Sequence, residues 1–161
     1  MGIGVMVGRR RPTPSLGTIV PSMPHVLVVA DGTWVRNDVR AALSDDAYRL
    51  TEVDDPRSAV EAWADDRPDV VVADLQIGSM GGMAVTRALR DAASTAGDPP
   101  PPTIVLLDRG ADSFLAGRSG AAAWLRKPFT SHELRTAIAG LLIAPEADEP
   151  VEAEVGADEA S

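Results

Sequence analysis

Three short runs of mostly apolar, β-branched residues limit what this chain can fold into. They cover residues 25–30, 69–73 and 103–107. Because they lack the alternation of polar and apolar residues that marks a half-exposed strand, they predict strands buried on both faces. Segments with the apolar spacing of amphipathic helices lie between them. Strands that alternate with helices predict a parallel sheet that is covered by helices on both sides.

Two weaker strands and five helices complete the pattern. The weaker strands are expected over residues 48–53 and 122–125, and the helices near residues 33–44, 56–65, 83–93, 111–119 and 130–142. Asp55 and Pro56 predict the N-cap and the first position of the second helix. Thr130 and Glu133 form a capping box that opens the last helix. We therefore expect an α/β domain with a doubly wound, flavodoxin-like parallel sheet of five strands in the order 2-1-3-4-5.

Charge is distributed unevenly along the 161 residues, whose formal net charge is −9. Residues 1–24 hold three arginines and no acid, whereas residues 145–161 hold seven acids and no base. Neither end has enough periodic apolar content to order itself. We expect a disordered N-terminal extension over 1–24, a folded domain over 25–143 and a disordered acidic tail over 144–161. Met23 offers an alternative start, which would remove residues 1–22 from the natural product.

Composition also excludes several classes of protein. The chain has no cysteine, so it has neither a disulfide framework nor a thiolate nucleophile. The acidic balance of the central region gives no support for nucleic-acid binding, which needs clustered basic residues. Because no apolar stretch reaches the length of a membrane span or forms a signal peptide, we expect a cytoplasmic protein with no membrane partner.

Charged side chains follow the predicted strands at the points where the strands end. Asp31 follows the first strand, Asp74 the third, Asp108 the fourth and Lys127 the fifth. Lys127 is the single lysine in a chain with 15 basic residues, the other 14 of which are arginines. In open parallel sheets the ligand site lies outside the carboxyl ends of the strands, where the strand order reverses. Asp31, Asp74 and Lys127 are therefore expected to share one pocket.

Two facing carboxylates repel each other by about 1 to 4 kcal/mol, depending on the local dielectric. Asp31 and Asp74 therefore need a counter-charge, which Mg²⁺ and the nearby Lys127 would supply. Carboxylates, Mg²⁺ and a lysine suit a phosphoryl group, with one carboxylate as the nucleophile. An aspartate at a strand end is otherwise a turn residue or a helix cap. For Asp108 the simpler interpretation is a solvated loop acid, and the alternative is a negative charge in the pocket that opposes phosphorylation.

Residues 25 to 142 resemble the receiver domain of two-component response regulators. Residues 26–31 resemble the first strand of that family with its acidic pair, and residues 70–74 resemble its third strand with the phosphoacceptor aspartate. The glycine-containing segment 78–83 resembles the loop that follows. Lys127-Pro128-Phe129 resembles the fifth-strand lysine and the cis proline peptide after it.

The resemblance implies a set of roles for these residues. Asp74 would accept a phosphoryl group from the phosphohistidine of a sensor histidine kinase or a phosphotransfer protein. Asp31, Asp74 and the backbone carbonyl of Gln76 would hold Mg²⁺, and Lys127 would contact the acyl phosphate. The peptide bond between Lys127 and Pro128 would be cis.

The sequence departs from the family at several positions, among them Gly78, which replaces the loop proline. Ala30 replaces the first member of the acidic pair, which predicts weaker Mg²⁺ binding. Leu107 replaces the hydroxyl residue that bonds the phosphoryl group, a loss of about 1.5 to 3 kcal/mol. Trp124 occupies the aromatic switch position on the fifth strand. Two functions therefore remain open: a receiver that is phosphorylated on Asp74, or a pseudo-receiver that binds a partner without phosphorylation.

A third class of function is a Mg²⁺-dependent phosphatase or a flavin protein on the same fold. The phosphatase usually has a second acid two residues after the nucleophile, and Gln76 is at that position. Residues 31–34 lack the hydroxyl-rich loop that a flavin phosphate needs. We therefore expect a non-enzymatic signalling module.

The output surface is the remaining question. After Leu142 only the acidic tail remains, so we expect a stand-alone receiver that acts through protein contacts. The resemblance implies a surface formed by residues 111–142, which would bind a downstream protein or a second copy of the chain. Its apolar contacts would come from Phe114, Leu115, Trp124, Leu134 and Ile138, although their helical spacing is also typical of core residues.

Overall fold

The computed structural model of the protein describes residues 23–77 and 81–143. We expect disorder in the two tails, and most of their residues, 1–22 and 144–161, lie outside the described residues. The strands are β1 His25–Val29, β2 Arg49–Val53, β3 Val70–Asp74, β4 Thr103–Leu107 and β5 Ala123–Arg126. The helices are α1 Thr33–Ala42, α2 Pro56–Asp66, α3 Gly81–Ala96, α4 Ser113–Arg118 and α5 Ser131–Ile143.

The five strands form one parallel sheet in the order β2-β1-β3-β4-β5. The order reverses between β1 and β3, where Val29 pairs with Ala73. On the other side of β3, Asp74 pairs with Leu106. The predicted doubly wound fold and its strand order are confirmed, and the switch point lies beside the carboxyl end of β3.

Helices cover both faces of the sheet. Helices α1 and α5 bury their apolar sides on one face, against alternate residues of β1, β3 and β4. Helices α2 and α3 cover the opposite face, where Trp63 is the largest buried side chain. Helix α4 covers the end of β4 on that same face through Ala116. Burial on both sides explains why β1, β3 and β4 consist almost entirely of apolar residues.

The caps predicted for two helices are present. Asp55 accepts a hydrogen bond from the backbone N–H of Arg57 at 3.0 Å, with Pro56 at the first helical position. The Thr130 hydroxyl accepts from the backbone N–H of Glu133 at 3.0 Å. These bonds satisfy N–H groups that the first turn of a helix leaves without partners.

Two expectations need correction. The fourth helix is shorter than predicted, because residues Gly110–Asp112 form a 3₁₀ turn before α4. Leu134 and Ile138 do not belong to an exposed contact surface, since both are buried between α5 and the sheet.

None of the helices in residues 23–77 and 81–143 is long and apolar enough to cross a membrane.

Candidate functional site

Asp74 is the last residue of β3 and is 3% exposed. It lies at the carboxyl edge of the sheet, with β1 on one side and β4 on the other. Its Oδ1 atom accepts a hydrogen bond from Lys127 Nζ at 2.7 Å and one from the backbone N–H of Gln76 at 3.3 Å. Asp74 is thus a buried carboxylate that is held between a lysine and the backbone of its own loop.

Two glycines bring the start of α3 against the backbone of Asp74. Gly82 N–H donates to the carbonyl of Leu75 at 3.0 Å, and a Cβ atom on Gly82 would lie 2.5 Å from the Asp74 carbonyl oxygen. Gly81 has φ +78°, a conformation that side chains rarely adopt. The glycine pair therefore fixes the turn that positions Asp74.

Lys127 follows β5 and contacts two carboxylates. Its Nζ atom lies 2.7 Å from Asp74 Oδ1 and 3.0 Å from Asp108 Oδ1. The Lys127 and Asp74 side chains are only 6% and 4% exposed, whereas Asp108 is 43% exposed. Asp108 is therefore partly solvated, as its position suggested, but it is also paired with Lys127 and forms the exposed arm of a three-residue ion cluster, Asp74–Lys127–Asp108.

Trp34 lies beside this ion cluster. Lys127 Nζ is 5.1 Å from the centroid of the Trp34 ring, within the range of a cation–π contact. Trp34 belongs to the first turn of α1 and is 57% exposed. The sequence reasoning missed this contact. The sequence could have indicated it, because Trp34 lies shortly after β1 and therefore at the same edge of the sheet as Lys127.

The β1 side of the pocket has one exposed acid, Asp31, two residues after the end of the strand. Ala30 is buried, and its carbonyl accepts a hydrogen bond from Arg36 Nη1 at 2.6 Å. Arg36 also lies 3.7 Å from Glu52 on β2. Arg36 and Glu52 thus form a charged pair on the β2 side of β1, while Asp31 follows β1 and Asp74 ends the neighbouring strand β3 at the switch point.

The donors available for a divalent cation are oxygen atoms. Asp31, Asp74 and the Gln76 carbonyl are the hard ligands that Mg²⁺ prefers, and this ion commonly keeps several waters. In the described ranges no group of three His, Asp or Glu residues could hold a metal ion. By donor chemistry alone, two carboxylates and a carbonyl would suit Mg²⁺ that keeps several waters.

The two positions proposed for switching lie on β4 and β5. Leu107 is fully buried and packs with Val105 and Ala116, so its side chain fills the space beneath α4. Its carbonyl accepts from the Lys127 backbone N–H at 2.7 Å. Trp124 is 38% exposed. The Lys127–Pro128 peptide bond is cis.

The sequence profile of the response regulator receiver domain matches residues 26–139. The chain belongs to this family. The expected resemblance is thereby confirmed for most of the described chain. Receiver domains are the signalling modules of two-component response regulators, and this domain is one of them.

Several known proteins resemble this receiver domain. MprA, a response regulator from Mycolicibacterium vanbaalenii, is 35% identical over 118 residues, which are 73% of this chain and 50% of that protein. The signal receiver domain of NarL from Mycobacterium tuberculosis has a TM-score of 0.67 and 27% identity, and the match covers 78% of this chain and 100% of that chain. This receiver chain spans about half the length of the curated relatives it matches.

A more distant likeness concerns the fold alone. The co-crystal structure of the Saccharomyces cerevisiae histidine phosphotransfer protein Ypd1 with the receiver domain of Ssk1 matches with a TM-score of 0.68. The match is 20% identical and covers 78% of this receiver chain and 92% of that chain.

Proposed function

We propose that this receiver domain accepts a phosphoryl group on Asp74 and signals through protein contacts rather than by catalysing a reaction on a substrate. The observation that carries the proposal is the buried pair of Asp74 and Lys127, whose atoms are 2.7 Å apart. Burying two charges usually costs more than packing apolar residues of similar volume. A pair that is retained at the carboxyl edge of the sheet is therefore better explained by chemistry than by stability.

The chemistry is a single phosphoryl transfer. A carboxylate oxygen of Asp74 attacks the phosphorus atom of a phosphohistidine, a P–O bond forms and the P–N bond breaks. The electron pair of the broken bond leaves with the imidazole nitrogen, and the product on Asp74 is an acyl phosphate. Lys127 then places its ammonium group against the phosphoryl oxygens, where it offsets their negative charge.

Mg²⁺ would be held by Asp31, Asp74 and the Gln76 carbonyl. When bound, it would neutralise charge on the phosphoryl oxygens. With Ala30 in place of a carboxylate, this site has few protein ligands, and we propose that its affinity for Mg²⁺ is low.

The phosphoryl donor is proposed to be a sensor histidine kinase or a phosphotransfer protein. The Ypd1–Ssk1 complex is a solved example of a receiver domain bound to a histidine phosphotransfer protein. Because such donors carry phosphate that originates from ATP, we place the domain in the cytoplasm. We also propose that residues 25–143 act as one unit.

The output surface is proposed to lie within residues 111–142. Phe114 and Leu115 on α4 are 66% and 42% exposed, and Trp124 on β5 is 38% exposed. Exposed aromatic side chains favour protein contacts. A downstream protein or a second copy of the chain would bind here.

Acetyl phosphate tests the proposal without any partner protein. The protein is incubated with acetyl phosphate and Mg²⁺, and its intact mass is measured beside Asp74→Asn and a control receiver. The expected result is the gain of one HPO₃ group in the parent and none in Asp74→Asn. If the parent protein stays unmodified under conditions that modify the control receiver, the proposed function is contradicted.

A second candidate is a pseudo-receiver that binds its partner without phosphorylation. Two observations favour it: Leu107 offers no hydroxyl and is fully buried, and Lys127 already has two carboxylate partners. The Asp74–Lys127–Asp108 cluster would then stabilise one fixed conformation. This function predicts that acetyl phosphate changes neither the mass nor the oligomeric state of the protein.

A further inference from the structure

Lys127 contacts two carboxylates with a single positive charge. Its Nζ atom is within 3.0 Å of Asp108 as well as 2.7 Å from Asp74. An ammonium group has three N–H donors, and two of them point to carboxylates when both contacts are made. When a phosphoryl group reaches Asp74, Lys127 is therefore already paired with Asp108.

Three aspartates and one lysine lie at the carboxyl ends of the strands. Asp74 ends β3, and Asp31, Asp108 and Lys127 follow β1, β4 and β5. Since β4 lies between β3 and β5, Asp108 belongs to the Lys127 side of Asp74 and Asp31 to the opposite side. Asp108 is therefore placed to act on the lysine.

We propose that Asp108 competes with the phosphoryl group for Lys127 and thereby restrains the phosphorylation of Asp74. This inference rests on the proposed function and assigns Asp108 the role of a positioning residue. To contact the phosphoryl oxygens fully, Lys127 must loosen its contact with Asp108. The negative charge of Asp108 also repels the incoming phosphoryl group.

The exposure of Asp108 sets the size of the effect. Its side chain is 43% exposed, so water replaces part of the contact when Lys127 moves away. Ion pairs in such surroundings are weak. Removing the charge should raise the rate of phosphorylation about two- to fivefold, which corresponds to about 0.4 to 1 kcal/mol at 1.36 kcal/mol per factor of ten.

The test uses variants that separate charge from shape. Asp108→Asn removes the charge and keeps the shape, and Asp108→Glu keeps the charge. Asp45→Asn is the matched control, because Asp45 forms an exposed ion pair with Arg135 at 2.9 Å, outside the Asp74–Lys127–Asp108 cluster. The rate of HPO₃ addition from acetyl phosphate with Mg²⁺ is measured for each protein at low and at high salt.

The expected result is faster phosphorylation of Asp108→Asn only, with Asp108→Glu and Asp45→Asn at the parent rate. The advantage of Asp108→Asn should shrink at high salt, because salt screens exposed charges. An unchanged or slower rate in Asp108→Asn would overturn the inference.

A second measurement does not depend on phosphorylation. Because Lys127 is the only lysine, protein labelled with ¹³C-lysine gives one Cε signal for the pocket. Asp108→Asn should shift this signal, and Asp45→Asn should leave it in place. If no variant accepts phosphate, the proposed function fails. If the Lys127 Cε signal nevertheless shifts in Asp108→Asn, only the ion pair between Asp108 and Lys127 is supported. A signal that is identical in Asp108→Asn and the parent refutes the pairing itself.

Discussion

The two ends of the parallel sheet bury polar side chains in different ways. At the carboxyl end, Asp74 and Lys127 are buried as a pair of opposite charges. At the amino end, His25 is 6% exposed and is held by hydrogen bonds. Its Nε2 atom lies 2.7 Å from the Thr51 hydroxyl, and its backbone N–H donates to Asp69 at 2.8 Å.

The difference separates an end held by hydrogen bonds from an end that buries a pair of opposite charges. Burial is the main cause that lowers the pKa of His25, and the nearby positive charge of Arg49 lowers it further, against smaller opposite effects of Asp66 and Asp69. A neutral imidazole is thus favoured at the amino end, where it ties β1 to β2. The carboxyl end instead keeps full charges next to an apolar core, an arrangement that a stable fold alone does not require.

The largest effect is expected from breaking the charged pair. Lys127→Met keeps the length of the side chain but leaves the buried Asp74 carboxylate without its cation, which should lower the free energy of unfolding by about 3 kcal/mol. Urea denaturation measures this loss. The double variant Lys127→Met/Asp74→Asn should recover much of it, because the unpaired charge is then gone as well.

Two outcomes would contradict this account of the carboxyl end. One is a Lys127→Met protein as stable as the parent. The other is a double variant that loses the sum of both single effects, which would mean that Asp74 and Lys127 are not coupled.

The sequence predicts this end of the molecule well because strand ends are simple to place. Once β3 and β5 are recognised as parallel strands of one sheet, Asp74 and Lys127 are expected at the same edge, and Lys127 Nζ does lie 2.7 Å from Asp74 Oδ1. Asp108 follows β4 in the same way, but a residue one position beyond a strand can turn towards the pocket or into water. Only the structure decides between these orientations.

Other features could not be predicted from periodicity. Leu134 and Ile138 on α5 and Phe114 and Leu115 on α4 are all apolar residues of predicted helices, yet the first two are buried and the last two are exposed. The reason is that α5 packs along the sheet, whereas the short α4 contacts it mainly through Ala116. Which helix lies flat on the sheet depends on tertiary packing, which the spacing of apolar residues does not specify.

A smaller effect is expected from Leu107, which lies beside the charged pair but carries no polar group. Leu107→Thr places a hydroxyl at the end of β4 and should cost about 2 kcal/mol in stability, because apolar volume is lost and the new group is buried. Leu107→Val is the matched control, since valine has the shape of threonine without the hydroxyl.

Phosphorylation adds a second readout for this pair of variants. After treatment with acetyl phosphate, amide hydrogen exchange in α4 and β5 should change more in Leu107→Thr than in Leu107→Val. Equal changes in the two variants would mean that the missing hydroxyl does not limit switching.

The smallest effect is expected at the amino end and depends on pH. Since the pKa of folded His25 lies below its ordinary value of 6.5, the unfolded chain takes up the proton more readily. The stability that the neutral imidazole contributes is present above pH 6.5 and is lost as the pH falls through the folded pKa. Urea denaturation between pH 7.5 and 5 should show a shallower loss of stability in His25→Gln than in the parent. Parallel curves would contradict the role assigned to His25.

The central claim is that Asp74 is the phosphoryl acceptor, and its most direct test identifies the modified residue. Protein treated with acetyl phosphate and Mg²⁺ is reduced with borohydride, which converts an acyl phosphate to an alcohol, and its peptides are sequenced by mass spectrometry. Homoserine is expected at position 74, and unmodified aspartate at positions 31 and 108. Homoserine at either of those positions, or at none in a sample that a control receiver shows to be reactive, would contradict the central claim.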